Sequence, residues 1–169
     1  ECDAYAVYEK MDRENPDITF AFCHAHARRY FAEALKAIPK EQREKAKGTV
    51  AHEALERIAG IYHMDNQLAE LSAEERYRKR QLLVRPLVEA LFSWLKKVRD
   101  KKMVPEGGKT MKGVNYYLNH EKQFREFLNH GNVPLDNNAT ESALRNFCMH
   151  KHTWRLIDTI NGAKASALV

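Results

Sequence analysis

The sequence predicts a mainly α-helical protein with a small β remnant, and three observations support this fold class. Apolar residues recur at helical spacing through most of residues 39–129. A short run at residues 18–23 has the β-branched and aromatic composition of a strand, and turn-forming residues separate the segments. With 169 residues, 44% of them hydrophobic, the chain is long enough to bury a core.

The N-terminal part predicts alternating helices and a strand. Residues 5–13 form a short helical pattern that ends at Asn15-Pro16, because the residue before a proline disfavours helical conformation. Ile18 to Cys23 predicts a buried strand, and His24 to Ile38 predicts a helix. This order is typical of α/β proteins, and the strand edge would favour pairing between copies.

The middle of the chain predicts a long antiparallel helical hairpin. Ser72 and Glu75 have the spacing of a capping box at the start of the second helix. Pro86 falls inside that helix and predicts a kink or a break. Residues 104–108 predict a linker, which is followed by two shorter helices at about 111–119 and 121–128.

Charge and cysteine content indicate the setting in which the chain works. The formal net charge of +5 favours a polyanionic partner. Three scattered cysteines and the lack of a long apolar run predict a reducing, cytoplasmic location and no membrane span. The chain starts at Glu1 rather than Met and stops within a helical pattern, so we expect a piece of a longer protein.

One acidic residue follows a turn rich in capping residues. Asp136, Asn137 and Asn138 favour a turn and a helix N-cap, and Glu141 then falls on the first helical turn. Asp3 is the comparably placed acid near the other end of the chain. Two such carboxylates suit divalent metal ions that assist phosphoryl transfer.

A purely structural interpretation explains the same residues. With Asn138 as N-cap, Glu141 stands at the third helical position, where a carboxylate reaches back to the cap. Arg145 lies four residues further on, at the spacing of a helical ion pair. Asp3 is then a helix cap before Tyr5. Spacing alone favours this interpretation.

Three segments favour the catalytic interpretation of Asp3 and Glu141 over the structural one. Together and in order, they resemble the catalytic region of the IS66 family of bacterial insertion-sequence transposases. They are Asp3-Ala4-Tyr5, the run Cys23-His24-Ala25-His26-Ala27-Arg28-Arg29-Tyr30-Phe31, and Pro134-Leu135-Asp136-Asn137-Asn138-Ala139-Thr140-Glu141 with Arg145. The resemblance implies a truncated RNase H-like α/β core at residues 1–38 and 130–169, interrupted by a helical insertion at residues 39–129.

The resemblance also implies an active site of the DDE type, with three acids. Asp3 matches the second acid and Glu141 the third, and both would bind Mg²⁺ or Mn²⁺. The strand that carries the first acid would precede residue 1, so we expect the isolated chain to be inactive.

The same resemblance assigns further roles. The residues expected to contact DNA are Arg28, Arg29, Asn137, Asn138, Arg145, Lys151 and Trp154. His26 and Asp136 are expected to support the site, although a histidine after a buried strand is more often a packing residue. The expected partners are transposon and target DNA, further copies of the chain in the active complex, and other transposition proteins.

Two clusters invite a zinc interpretation. Cys23, His24 and His26 lie together, and a second group combines Cys148 with two histidines. Neither cluster belongs to a closed four-ligand pattern, so zinc is not expected.

The basic hairpin supports an alternative function, that of a non-catalytic helical module that binds DNA or a partner protein. Cations gather at the two ends of the second hairpin helix: Arg76, Arg78, Lys79 and Arg80 at one end, and Lys96, Lys97, Arg99, Lys101 and Lys102 at the other. Such runs are usually solvated faces, but they could also neutralise DNA phosphates.

Overall fold

Helices form most of the chain that the structure describes, which confirms the mainly helical prediction. The structure is a computed structural model and describes residues 10–11, 14–15, 17–138 and 142. Among these residues, those up to Asp136 belong to one compact unit, and Asn137 begins a second unit. None of the described helices is both long and apolar enough to cross a membrane.

Six α-helices are described between residues 24 and 125. Their bounds are α1 His24–Lys36, α2 Val50–Asn66, α3 Ala73–Lys79, α4 Arg85–Asp100, α5 Lys109–Asn119 and α6 Glu121–Arg125. Short 3-10 helices cover Lys40–Ala46 and Glu126–Asn129, and a π-helical turn covers Arg80–Val84. The predicted order of helices from residue 24 to residue 128 is confirmed.

The strand predicted at Ile18 to Cys23 is wrong. Within the described chain this run is extended and has a single bridge residue, Phe22. The Phe22 amide also donates to the Gln123 carbonyl oxygen of α6 over 3.2 Å. Ala21, Phe22 and Cys23 are buried, while Ile18 is 45% exposed. The apolar run therefore indicates a buried segment rather than a strand, because this part of the chain packs in extended conformation against helices.

The predicted hairpin pairs α2 with a helix formed by α3, the π turn and α4. Thr49 caps α2, since its side-chain oxygen accepts from the His52 amide over 3.3 Å. At the start of α3, the Glu75 amide donates to the Ser72 hydroxyl over 3.3 Å, and that hydroxyl donates to the Glu75 carboxylate over 2.9 Å.

Pro86 produces a π turn where we predicted a kink or a break. Proline has no amide hydrogen, and its ring clashes with the carbonyl four residues earlier. The helix accommodates this by a wider turn, in which the Arg85 amide donates to the Arg80 carbonyl oxygen five residues back. The helical path therefore continues from Ala73 to Asp100.

The core lies among α1, α2, α4 and α5, which pack on one another. Its fully buried side chains include Phe31, Ile58, Leu91, Phe92, Leu95 and Tyr117. Gly113 allows α5 to approach α1 closely: a Cβ atom at Gly113 would lie 2.9 Å from the Tyr30 Cβ and 3.0 Å from the Phe31 ring. This contact fixes α1, the helix that carries the second of the three motif segments.

Candidate active-site region

The first residues of the third motif lie against the start of α1. The His24 amide donates to the Leu135 carbonyl oxygen over 3.1 Å, and the Leu135 side chain is buried. This amide is one of the four at the helix N-terminus that have no partner within the helix, so Leu135 satisfies it. The bond brings together two of the three motif segments, although about a hundred residues separate them in the chain.

His24 is a buried neutral histidine that links α1 to α5 and α6. Its Nε2 donates to the Phe124 carbonyl oxygen over 3.0 Å, because that carbonyl can only accept. Its Nδ1 is then the acceptor for the Tyr117 hydroxyl at 3.1 Å. Burial lowers the pKa of His24 to about 4, against the raising effects of the Phe124 bond and of the Asp136 and Asp65 charges. His24 therefore carries no charge at neutral pH.

Asp136 lies beside two buried groups of the same unit. Its negative charge acts on His24 and on the phenol of Tyr62. Burial, followed by the Asp136 charge, raises the pKa of Tyr62. The supporting role of Asp136 stays a prediction, and His24 and Tyr62 are neighbours of its carboxylate.

A buried ion pair between Asp65 of α2 and Arg80 of the π turn lies near this region. The guanidinium Nε and Nη2 atoms of Arg80 donate to the two carboxylate oxygens of Asp65 over 2.7 and 2.9 Å. Arg76 donates to the same carboxylate over 2.6 Å. Burial opposes ionisation of Asp65, but the bonds and charges of Arg80 and Arg76 outweigh it and lower the pKa of Asp65. The pair is therefore ionised, as a buried pair with satisfied hydrogen bonds can be.

The remaining donor of Arg80 binds the backbone that precedes the third motif. Its Nη1 donates to the carbonyl oxygens of Phe127 at 2.9 Å and Val133 at 2.8 Å, and also to that of His130. The neighbouring side chain of Gln81 donates to the Leu128 carbonyl oxygen over 2.5 Å. Four carbonyl groups between residues 127 and 133 are thus held by two side chains of the π turn.

Gly131 brings the same segment onto the start of α3. A Cβ atom at this position would lie 1.8 Å from the carbonyl oxygen of Ala73, which is backbone and cannot swing aside. Only glycine fits this approach. Residues 127–133 are therefore fixed from two sides, by the side chains of the π turn and by the backbone of α3.

Arg28 and Arg29 lie exposed on α1, as residues that contact DNA must. The positive charge of Arg29 acts on the carboxylate of Glu33, one turn further along the helix, and helps to lower its pKa. His26 is half-buried on the same helix. Its predicted supporting role stays a prediction.

Asn137 and Asn138 are the remaining predicted site residues within the described chain. Asn138 has helical conformation. The Asn137 Oδ1 atom is buried and has no hydrogen-bond partner in the described part of the chain. Asp3, Glu141, Arg145, Lys151 and Trp154 lie outside the described residues.

Two cations of the basic hairpin are structural. Arg80 is fully buried, and Arg76, whose side chain is 18% exposed, donates to the same carboxylate, so both guanidinium groups are engaged by Asp65. We did not predict the ion pair. One signal was available, since Asp65 falls in helical register with Ile58 and Ile61 on the buried face of α2.

Cys23, His24 and His26 lie at the start of α1, and His24 is engaged by its neighbours. Both ring nitrogens of His24 are used in hydrogen bonds to protein groups. Within the described residues, no three side chains of His, Cys, Asp or Glu are grouped so that they could hold a metal ion.

The sequence pattern described as "Transposase IS66 family" matches residues 1–165 of this chain. The matched range contains all three motif segments, the helical hairpin and both shorter helices.

Two similar proteins come from Sinorhizobium fredii (strain NBRC 101917 / NGR234). The uncharacterized protein y4hP is 35% identical over 156 residues, which cover 90% of this chain and 28% of that protein. The uncharacterized protein y4jD is 23% identical over 172 residues, which cover 99% of this chain and 32% of that protein. The chain thus spans less than a third of the length of either relative. No solved structure matches it significantly.

Proposed function

This chain belongs to the IS66 family of transposases, and we propose that it is part of the catalytic region of a DNA transposase that cleaves DNA strands and joins them to a new site. The observation that carries the proposal is the presence of three motif segments, in order, within the matched residues 1–165. The reaction is phosphoryl transfer of the DDE type on an RNase H-like core.

Asp3 and Glu141 are the proposed metal ligands. Carboxylate oxygens are the ligands that Mg²⁺ and Mn²⁺ prefer, and both residues match acids of the family motif. The buried Asn137 Oδ1 without a described partner supports an oxygen-rich site in this motif. When bound, the ions supply Lewis-acid activation of water or of a DNA 3′-hydroxyl and stabilise the leaving oxygen.

The chain's own residues bind and orient the DNA. Arg28 and Arg29 are exposed on α1, which suits contacts to phosphates. We place Asn137, Asn138, Arg145, Lys151 and Trp154 in the same role, with Trp154 stacking on an unpaired base. Further copies of the chain and other transposition proteins complete the active complex.

A longer protein is needed for activity under this proposal. The chain supplies two of the three acids, and it spans less than a third of each relative's length. The isolated chain should therefore bind DNA but transfer no strands.

The proposal is tested by replacing Glu141 with glutamine in the complete transposase and measuring strand transfer into target DNA. The substitution keeps the size of the side chain but removes the charge that binds metal, so we expect transfer to fall below detection. Glu106→Gln is the matched control, because Glu106 is exposed and forms an exposed ion pair with Lys102. Strand transfer by Glu141→Gln at the rate of the control would refute the proposed role.

A further inference from the structure

A polar cluster inside the helical insertion is joined to the acidic motif by backbone contacts. The cluster consists of Asp65, Arg80 and Gln81, and it lies where the π turn interrupts the long hairpin helix. Single π turns inside α-helices occur frequently at functional sites. The Arg80 side chain is fully buried, so its charge does not serve solubility or phosphate binding.

We propose that Arg80, oriented by Asp65, is a positioning residue for the backbone of residues 127–136, which includes the first residues of the acidic motif, Pro134 to Asp136. This inference rests on the proposed transposase function. The helical segment 39–129 then does more than connect the second motif to the third, since its π turn fixes the backbone that leads into the third motif.

The geometry supports this role over general stabilisation. The planar guanidinium uses one edge for the two oxygens of Asp65 and the remaining nitrogen for three carbonyls at residues 127, 130 and 133. A lysine could not make this pattern, because its ammonium is a single point of charge. The bonds therefore define the path of the segment as well as satisfying a buried charge.

The fixed segment leads directly into the motif. Val133 is the last residue bound by Arg80, Leu135 accepts from the His24 amide, and Asp136 acts on Tyr62 and His24. From residue 127 to residue 136, every residue either makes one of these contacts or is next to a residue that does. Loss of the Arg80 contacts would release the middle of this path.

The test begins with hydrogen exchange of the isolated chain, measured by mass spectrometry on Arg80→Lys. We expect peptides covering residues 127–136 to exchange about 10- to 100-fold faster, which corresponds to the loss of one charge-assisted hydrogen bond, while the middle of α2 and of α4 changes less than about twofold. Arg78→Lys is the matched control, since Arg78 forms an exposed ion pair with Glu74 on the same helix.

A second variant approaches the segment from its other side. In Gly131→Ala, the new Cβ atom must push residues 130–133 away from Ala73, so the same peptides should exchange faster. Gly107→Ala is its control, because nothing lies within 4 Å of a Cβ atom there. Unchanged exchange at residues 127–136 in both variants, or an equal increase throughout α2 and α4, would overturn the proposal.

Strand transfer by the complete transposase separates this proposal from the function on which it rests. A positioning role predicts that Arg80→Lys lowers the transfer rate at saturating DNA at least about tenfold and changes the dissociation constant for DNA less than about twofold. Full activity of Arg80→Lys, together with an inactive Glu141→Gln, would refute the positioning role alone. An active Glu141→Gln would refute the proposed function, whatever the exchange data show.

Discussion

Replacing Gly113 with alanine should destabilise the protein, although Gly113 lies inside α5, where alanine is the better helix former. Alanine stabilises a helix interior by about 1 kcal/mol relative to glycine. The new Cβ atom, however, would lie 2.9 Å from the Tyr30 Cβ and 3.0 and 3.1 Å from two Phe31 ring atoms. Ordinary carbon contacts are about 3.5–4.0 Å, so α1 and α5 would have to separate locally by roughly 0.6 Å or more.

The expected cost of that separation exceeds the gain in helix propensity. Overpacking a well-packed core costs about 1–3 kcal/mol, which leaves Gly113→Ala between neutral and about 2 kcal/mol less stable than the wild type. Gly60 offers a matched control inside α2, because nothing lies within 4 Å of a Cβ atom there. Gly60→Ala should therefore stabilise the protein by about 1 kcal/mol.

Urea denaturation followed by circular dichroism measures the difference between the two variants. The midpoint for Gly60→Ala should rise and that for Gly113→Ala should stay or fall, with equal slopes. The gap in the free energy of unfolding between the two should be about 1–3 kcal/mol. If Gly113→Ala is stabilised as much as Gly60→Ala, the close approach of α1 and α5 is wrong.

Two further predictions concern His24 and the arginines of α1. Burial lowers the pKa of His24 from 6.5 to about 4, so the unfolded chain binds more protons between these values, and stability should fall by about 3 kcal/mol as the pH drops through that window. Glutamine in place of His24 keeps a hydrogen-bond donor and an acceptor but does not titrate. The unfolding free energy of His24→Gln should therefore fall less steeply than that of the wild type as the pH drops. An equal fall in both proteins would contradict the lowered pKa of His24. Arg28→Ala with Arg29→Ala in the isolated chain should weaken DNA binding in fluorescence anisotropy and reduce the slope of log affinity against log salt by about 2. The pair Arg78→Ala and Lys79→Ala should leave that slope unchanged, and the reverse pattern would favour the alternative of a helical module that binds through its basic hairpin.

The helices could be predicted from the sequence because their signals are local. Apolar spacing, the cap at Thr49 and the capping box at Ser72 depend on residues within one or two turns. The prediction of a strand at Ile18 to Cys23 was wrong because strand pairing is not a local property. An apolar run indicates burial, but whether a second strand pairs with it depends on distant parts of the chain.

For the candidate site, the sequence predicted the motif residues but not the contacts that hold them in place. The turn pattern and the resemblance both singled out Asp136 and Asn137, whose roles in the site stay predictions. Spacing gave no means to place Leu135 beside the start of α1. Arg80 was assigned to a basic surface, because a cation in a run of cations is usually solvated. Its burial depends on Asp65 and on carbonyl groups about fifty residues away. The local sequence pattern around Arg80 does not indicate contacts between residues so far apart in the chain.

The central claim, that Asp3 and Glu141 bind the metal ions of a transposase, is tested most directly by titrating Mn²⁺ into the complete transposase bound to DNA. Free Mn²⁺ is followed by its electron paramagnetic resonance signal in the wild type, in Asp3→Asn, in Glu141→Gln and in the control Glu106→Gln. Each of the two ligand variants should weaken Mn²⁺ binding by at least about tenfold, the lower end of the cost of altering even an outer-shell group. Mn²⁺ affinity in both variants equal to that of the control would contradict the claim.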